Sequence, residues 1–357
     1  MLTRTYIEDI MYNRRRSYFI EALLLLMSTV YCGMVLLRTA LYRVHILRNR
    51  TLPCKVFSIG NLTLGGTGKT PIVINIVNLL MRNGKHPVVV SRGYGRKNEQ
   101  DTVVVSDGRS TMGDPALGGD EPILISRKVP GLPVVVGSDR YAAAREALSR
   151  FKPDIVVLDD GFQHIRLSRD LDIVLVDATD PFGNGRMFPA GIMREPLSSL
   201  RRAQAIVITR VDGAADIRPL QHLIRSHTDA RLFTAQQAAV DLVDCCTSET
   251  KPLSVLRNAR VFAFSGIARP ASFIGLLRSA GALVVGERTF PDHYSFEKHD
   301  LADVFKQAAD HRVSMIMTTE KDAVRIKALG PEGIWALRIE PVIREQEAWE
   351  AFLVNRA

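Results

Sequence analysis

From residue 51 onward, short apolar runs alternate with segments of helical periodicity. The first apolar run, 55–59, predicts a strand, and it leads into a Gly-rich loop. Apolar positions from 72 to 82 recur at helical spacing, and Gly84 ends that helix. The next strand is predicted at 87–90. A strand, a loop, a helix and a second strand in this order are typical of the start of a parallel, doubly wound sheet.

Later runs extend this pattern in two groups. The first group is rich in Val and Ile without alternation, which predicts strands covered on both faces, at 103–105, 134–136, 155–158, 173–176 and 205–208. The second group predicts a smaller α/β domain, with strands at 261–264, 283–285 and 315–317 and helices at 271–280 and 300–311. We therefore predict a first domain at 51–212 and a second at 213–357.

Residues 1–50 form a separate basic and apolar segment. The stretch 18–37 is about long enough to cross a bilayer core. Glu21 begins a weak polar stripe that continues at helical spacing, so the helix could instead lie in the membrane interface. The stripe consists of Glu21, Ser28, Tyr31 and Cys32. The alternatives are a buried core helix, a twin-arginine export signal, and a cleaved signal peptide, although no small-x-small cleavage site follows the apolar run.

Arginines flank the apolar stretch on both sides. They fit contact with anionic lipid headgroups but give no orientation across a membrane. The flanking residues are Arg14, Arg15, Arg16, Arg38, Arg43, Arg48 and Arg50.

The net charge and composition of the chain restrict the classes of partner that it is expected to bind. The chain has 357 residues, a net charge of +9 and an isoelectric point of about 9.5, which favours an anionic partner or reflects a solvated, Arg-rich surface. Aromatic residues are only 7% of the chain and are not interleaved with basic runs, so we predict no nucleic-acid partner. The four cysteines have no zinc-like spacing, and two are adjacent, which suits a reducing compartment.

The loop after the first strand carries the strongest chemical signal. It ends in Gly-Lys-Thr and is typical of a P-loop, although Thr63 stands where the first glycine is usual. Lys69 would reach the β- and γ-phosphates and Thr70 would ligate Mg²⁺, so the predicted cofactors are ATP and Mg²⁺. A Gly-rich turn that only packs a strand on a helix is the alternative. The predicted nucleotide-binding residues are Thr63, Leu64, Gly65, Gly66, Thr67, Gly68, Lys69 and Thr70. With this loop, the predicted fold is a P-loop NTPase-like, doubly wound and mostly parallel sheet with a second, smaller α/β domain and an N-terminal membrane-associated helix.

Carboxylates mark two further candidate sites. Asp159 and Asp160 follow the strand at 155–158, where a Walker-B magnesium ligand is expected. Asp120, in Gly-Asp-Glu-Pro, is a candidate base for a hydroxyl nucleophile. His293, in Asp-His-Tyr-Ser-Phe, could pair with a carboxylate across a cleft between the two predicted domains. A lone histidine of this kind is more often structural.

Two polar loops complete the candidates. Arg92 and Arg96 flank Gly-Tyr-Gly, and Arg194 precedes Glu-Pro in a loop rich in turn residues. Arginines in such loops suit the binding of an anionic ligand. The alternative is that both are ordinary surface loops.

Taken together, these motifs resemble the tetraacyldisaccharide 4'-kinase family of lipid A biosynthesis. They occur in the family's order between about residues 50 and 325, and the family's P-loop also lacks the first glycine. The matching stretches are 60–71, 91–96, 119–122, 159–164, 194–196 and 292–294.

The resemblance implies transfer of the γ-phosphate of ATP to the 4'-hydroxyl of a tetraacyldisaccharide 1-phosphate, which forms lipid IVA. It also implies a Gram-negative inner membrane with the catalytic domains on the cytoplasmic face, a lipid disaccharide substrate and an anionic membrane surface as partners, and no obligate protein partner. By the same similarity, Asp120 and His293 form the catalytic dyad with Lys69 as a further catalytic residue. Thr70, Asp159, Asp160 and Glu195 would lie around the metal and nucleotide, and Arg92, Arg96, Gln163, His164 and Arg194 are candidate substrate contacts.

Two rival functions come from other classes. The first is a membrane-associated P-loop ATPase or GTPase switch that acts on a protein partner. Residues 209–212, Thr-Arg-Val-Asp, stand about where a guanine-reading motif belongs but lack its Asn-Lys pair. The second rival is a DNA-binding ATPase, which the apolar segment and the lack of a base-reading motif disfavour.

Overall fold

The computed structural model describes residues 10–11 and 17–357; the predicted flanking arginines at 14–16 lie outside the described residues. Contacts divide the chain into two compact units, each assembled from separate segments. The first unit takes the chain up to Ser91, then Asp139–Gln236 and Ile343–Ala357, and the second takes Arg92–Ser138 and Gln237–Val342. The predicted boundaries at residues 50 and 212 would divide the chain into contiguous domains, and these boundaries stay predictions.

A parallel sheet organises the first unit. Its strands are β1 Lys55–Asn61, β2 Pro87–Ser91, β5 Ile155–Asp159, β6 Leu171–Asp177, β7 Ala205–Thr209 and the first part of β8 Arg231–Asp244. Their order is β8-β7-β6-β1-β5-β2, with parallel pairing throughout, so the carboxyl ends of all six strands lie at one edge. The helices of this unit are α1 Tyr18–Arg43, α2 Lys69–Arg82, α5 Arg140–Phe151, α6 Arg218–Arg225 and α10 Gln346–Val354.

The central strands are apolar because both faces are covered. Every residue of β2, β5, β6 and β7 is buried, as the run of Val and Ile without alternation predicted. A cluster of buried side chains that includes Leu62, Phe162 and Ile206 forms part of the core of this unit. The predicted parallel α/β architecture is confirmed for this unit.

The second unit has its own sheet, in the order β11-β10-β12-β13-β8. Its strands are β10 Arg260–Ser265, β11 Leu283–Thr289, β12 Met315–Thr319 and β13 Ile334–Ile343, with β9 Thr250–Pro252 antiparallel to the end of β8. Strands β3 Val103–Asp107 and β4 Pro133–Val136 also belong to this unit and pair antiparallel. The helices are α3 Pro115–Gly118, α4 Asp120–Lys128, α7 Pro270–Ser279, α8 Lys298–Asp310 and α9 Glu320–Ile326.

Helix α1 is the one helix of the described residues that is long and apolar enough to cross a membrane. Only 11% of its most apolar window is buried, which disfavours the buried core helix. Its inward stripe includes Leu24 and Ser28, whereas Leu26, Val30 and Leu37 are more than half exposed. The polar stripe predicted from the sequence therefore faces the protein together with Leu24, and most of the other apolar residues face outward.

Candidate active site

The P-loop connects β1 to α2 in the first unit. Helix α2 begins at Lys69, directly after Gly68, whose φ of +83° lies in the left-handed region that glycine adopts without a Cβ clash. The first-turn amides of α2 have no helical acceptor, and they supply positive potential where the loop ends. This is the local geometry that holds a phosphate chain.

Side chains from neighbouring strand ends fix the loop's backbone. Asn61 Nδ2 donates to the carbonyl of Thr63 at 2.9 Å, and Thr209 Oγ1 donates to that of Thr67 at 2.9 Å. Arg210 Nη2 donates to the carbonyl of Gly66 at 2.9 Å and also pairs with Asp177. Residues 209–210 thus brace the phosphate loop, a role that sequence reasoning missed because it tested this stretch only for guanine reading.

Lys69 is held in a small polar network. Its Nζ lies 3.2 Å from Asn61 Oδ1 and 3.5 Å from Asp160 Oδ1. Arg194 binds both oxygens of Asp160, at 2.6 and 3.0 Å, and donates to Asn61 Oδ1 at 2.8 Å. Two cations therefore share one carboxylate and one amide oxygen at the mouth of the P-loop.

The same network sets the ionisation of Asp160. Burial is the largest single influence and opposes ionisation, but Lys69, Arg194 and Arg140 together outweigh it and lower the pKa of Asp160 to about 2. Asp160 also has a φ of +53°, which is unfavourable for a residue with a Cβ. Strained backbone of this kind persists where surrounding contacts determine it, often at functional sites.

The other predicted metal ligands are all buried. Asp159 ends β5, is 1% exposed, and its Oδ2 accepts a hydrogen bond from Ser91 Oγ at 3.0 Å. Thr70 is buried in the first turn of α2. Glu195 is 1% exposed and accepts from Arg202 Nη2 at 2.7 Å, while the Arg202 guanidinium lies over the Phe162 ring at 4.2 Å.

Among the described residues, no three His, Cys, Asp or Glu side chains form a ready cation cage. In a nucleotide site, Mg²⁺ keeps water and phosphate ligands and takes only one or two protein carboxylates. The buried Asp159 beside the P-loop fits this requirement.

The candidate substrate contacts have diverse surroundings. Gln163 Nε2 donates to the carbonyl of Asn61 at 2.9 Å. Burial, with Arg140 as the next cause, lowers the pKa of His164 to about 4. In the second unit, Arg92 is half-exposed and lies 3.4 Å from Glu99, whereas Arg96 is buried and donates to the backbone carbonyls of residues 92, 93, 99 and 101. Arg96 organises its own loop in this structure, and its predicted substrate contact stays a prediction.

Asp120 and His293 come together in the second unit. Asp120 Oδ2 lies 3.2 Å from His293 Nδ1, and the carboxylate is 5% exposed. Both residues belong to the same compact unit, although they lie in different predicted domains. The Tyr94 ring lies 5.2 Å from that of His293, whose φ is +58°.

An arginine that the sequence did not single out completes this site. Arg325 Nε donates to Asp120 Oδ2 at 2.9 Å, and its Nη2 contacts the same oxygen. Its Nη1 donates to Asp322 Oδ1 at 2.8 Å and to the carbonyl of Gly266 at 2.7 Å. The guanidinium thus joins two buried carboxylates.

These contacts move the pKa values of both dyad members. Burial opposes ionisation of Asp120, but His293, Arg325 and Lys321 together hold the pKa of Asp120 far below its usual range. Burial likewise opposes protonation of His293, yet Asp120 outweighs it and raises the pKa of His293. The dyad therefore pairs an ionised carboxylate with an imidazole that readily takes a proton.

Comparison with known proteins decides the family. The family model for tetraacyldisaccharide-1-P 4'-kinase matches residues 20–357. The tetraacyldisaccharide 4'-kinase of Pelobacter propionicus is 40% identical over 348 residues, which covers 96% of this chain and 94% of the relative. The chain belongs to the tetraacyldisaccharide-1-P 4'-kinase family. A Geobacter metallireducens protein of the same name is 42% identical over 311 residues and covers 87% of this chain and 89% of its own.

A solved structure agrees with the family. The "apo" form of LpxK from Aquifex aeolicus, crystallised in complex with ATP, superposes with a TM-score of 0.76 at 31% identity. The match covers 94% of this chain and 99% of that one. The chain is thus a kinase that uses ATP and Mg²⁺ in lipid A biosynthesis, and the predicted P-loop NTPase-like fold with an N-terminal apolar helix is confirmed. The switch on a protein partner is not favoured.

Proposed function

We propose that this chain transfers the γ-phosphate of ATP to the 4'-hydroxyl of tetraacyldisaccharide 1-phosphate, forming lipid IVA, at the cytoplasmic face of the bacterial inner membrane. The observation that carries the proposal is the braced P-loop with Lys69 beside Asp160 and Asp159, in a chain of this kinase family. An acylated acceptor stays in the bilayer, so the enzyme must meet it there.

Helix α1 supports the membrane location. Its exposed apolar face and flanking basic residues suit contact with acyl chains and anionic headgroups. The described flanking arginines are Arg38, Arg43, Arg48 and Arg50. Because the opposite face is held by the first unit, the geometry favours a helix that lies along the membrane surface.

Around the nucleotide, Lys69 would neutralise charge on the β- and γ-phosphates. Thr70 and Asp159 would hold Mg²⁺, with Asp160 and Glu195 as neighbours that orient Lys69 and the surrounding arginines. Bound Mg²⁺ supplies electrostatic stabilisation of the transferring phosphoryl group. Arg194, which neutralises Asp160, leaves Lys69 free to turn towards phosphate.

At the acceptor, Asp120 would accept the proton of the 4'-hydroxyl. Its low pKa keeps the carboxylate ionised at neutral pH, and His293 and Arg325 fix its orientation. Phosphoryl transfer passes through a loose transition state, so orienting the hydroxyl matters more than strong basicity. The depressed pKa is compatible with this role.

The decisive assay supplies γ-labelled ATP and tetraacyldisaccharide 1-phosphate in mixed micelles. Labelled lipid supports the kinase, whereas release of labelled phosphate alone supports the switch. Asp120→Ala should lower kcat by about 10²–10⁴-fold with ATP KM unchanged, because it removes the group that handles the acceptor proton. Asp303→Ala, an exposed acid of the same unit, should retain activity. Near-wild-type turnover of Asp120→Ala contradicts the assignment.

Lys69→Ala should both raise ATP KM and lower kcat, because the ammonium contacts phosphate in the ground state and the transition state. The matched control is Lys55→Ala, a half-exposed lysine of β1 that pairs with Asp170 at 3.4 Å. If ATP KM and turnover of Lys69→Ala match those of the control, the P-loop assignment is wrong.

A further inference from the structure

Helix α1 is attached to the loop that carries Arg194 and Glu195. Ser28 Oγ donates to the carbonyl of Met187 at 2.9 Å, and Tyr31 OH donates to the carbonyl of Arg194 at 3.1 Å. The Tyr31 ring also packs edge-on against Phe188, with ring centroids 5.8 Å apart. The inward stripe of the apolar helix therefore rests on the segment that leads into the nucleotide site.

Arg194 is fixed from two directions. Its backbone N–H donates to the carbonyl of Leu62, the residue after β1, at 2.6 Å, and its carbonyl accepts from Tyr31. Its guanidinium then binds both oxygens of Asp160 and the Asn61 amide oxygen, the two groups that also contact Lys69. A continuous chain of polar contacts joins the apolar helix to the phosphate-binding lysine.

We propose that Tyr31 is a positioning residue through which membrane engagement of helix α1 raises affinity for ATP. A helix pressed onto the first unit by the membrane keeps the Tyr31 hydroxyl on the Arg194 carbonyl. Arg194 then neutralises Asp160, so Lys69 loses less electrostatic attraction to Asp160 when it turns towards phosphate. With Tyr31 released, Arg194 is less well placed and Asp160 competes with ATP for Lys69.

Two features of helix α1 support the proposal that membrane engagement raises ATP affinity. Residues on its outward face, such as Leu26, Met34 and Leu37, are more than half exposed, so a membrane can cover that face without disturbing the inward bonds. Arg38 Nη2 also donates to the carbonyl of Gln163, whose side chain bonds the Asn61 carbonyl. The inward contacts thus reach the end of β1 by a second route.

The coupling is reciprocal by thermodynamic necessity: if the membrane raises ATP affinity, ATP must raise membrane affinity by the same factor. A neutral hydrogen bond is worth about a three- to tenfold change in an equilibrium constant. We therefore expect Tyr31→Phe to weaken ATP binding about fivefold on vesicles. The proposal rests on the membrane association proposed above, but not on the identity of the phosphate acceptor.

The experiment uses the full chain on vesicles of phosphatidylglycerol and phosphatidylethanolamine, with Mg-ATP and no acceptor lipid. Tyr31→Phe is compared with Tyr18→Phe, the same substitution at a tyrosine of α1 that is 87% exposed. Direct ATP titration gives the dissociation constant, and co-sedimentation with and without ATP gives the change in vesicle affinity. Both substitutions keep the aromatic ring.

We expect Tyr31→Phe to bind ATP about fivefold more weakly than Tyr18→Phe, and ATP to raise vesicle affinity for wild type and Tyr18→Phe more than for Tyr31→Phe. Adding Asp160→Asn, which removes the charge that Arg194 neutralises, should abolish the difference between the two tyrosine variants. Equal ATP affinities or equal vesicle responses for the two variants overturn the proposal. Lipid phosphorylation measured on the same proteins separates the two proposals. Labelled lipid without coupling refutes only the role of Tyr31, and coupling without labelled lipid refutes only the proposed phosphate acceptor.

Discussion

Arg325 makes the sharpest prediction, because one guanidinium joins two buried carboxylates of the second unit. Its side chain is 7% exposed, and those of Asp120 and Asp322 are 5% and 0% exposed. Arg325→Met keeps comparable apolar bulk but leaves both carboxylates without their main cation. Removing one partner of a buried ion pair costs about 3–5 kcal/mol, since the remaining charge stays desolvated.

The expected result is a loss of about 3–5 kcal/mol in the free energy of unfolding of the second unit. The chain has two tryptophans, Trp335 in the second unit and Trp349 in the first. A Trp349→Phe background therefore gives a fluorescence signal for the unit that contains Arg325. Urea unfolding in that background, with and without Arg325→Met, measures the difference.

Two matched variants make the result specific. Arg92→Met removes an arginine of the same unit whose side chain is 53% exposed and pairs with Glu99, and it should cost at most about 1 kcal/mol. Asp120→Asn added to Arg325→Met should recover part of the loss, because it removes one of the stranded charges. Lower pH should reduce the deficit in the same way, since Asp120 takes up a proton more readily without Arg325. A deficit below about 1 kcal/mol, or no recovery with Asp120→Asn, refutes the reasoning.

Two further predictions concern Gly119 and His164. Gly119 has a φ of +83°, and a Cβ there would lie 3.1 Å from the Gly93 Cα. Gly119→Ala should therefore lower the free energy of unfolding by about 1–3 kcal/mol and lower kcat by displacing Asp120. Gly113→Ala, where a Cβ meets nothing within 4 Å, is the control, and equal kcat for the two variants contradicts the argument. Because the pKa of His164 falls from 6.5 to about 4 on folding, the unfolded chain binds the extra proton first, and stability should decrease as the pH falls from about 6.5 to about 4. His164→Gln should flatten that interval of the urea midpoint plotted against pH, and an unchanged slope rules out the buried neutral imidazole.

The sequence predicted the elements whose pattern is local. Unbroken runs of Val and Ile predicted the central strands β2, β5, β6 and β7, and Gly-Lys-Thr after a strand predicted the start of α2 at the P-loop. Strand β8, Arg231–Asp244, was missed because its residues are mixed in polarity and half-buried, so neither strand alternation nor an apolar run is visible. The run at 103–105 predicted a strand covered on both faces, but its antiparallel pairing with β4 depends on a partner 30 residues away.

The candidate site shows the same limit more clearly. Asp159, Asp160 and Asp120 were found because each lies at the end of a strand or the start of a helix, where a motif marks it. Arg325 lies 205 positions from Asp120, and nothing in its local sequence, Ala-Val-Arg-Ile, distinguishes it from other helical arginines. Partner choice between distant elements is a property of the folded chain, so a single sequence cannot supply it.

The contacts of the buried arginines change how the positive net charge is interpreted. The net charge of +9 suggested either an anionic partner or a solvated surface. Several arginines instead neutralise carboxylates or backbone carbonyls inside the units: Arg96, Arg194, Arg202, Arg210 and Arg325. Each has a side chain exposed by about a fifth or less, so it contributes little to the charge of the protein surface. The arginines available to the proposed membrane contact are a subset, and Arg43, which is exposed at the end of α1, is one whose removal should weaken vesicle binding without disturbing either site.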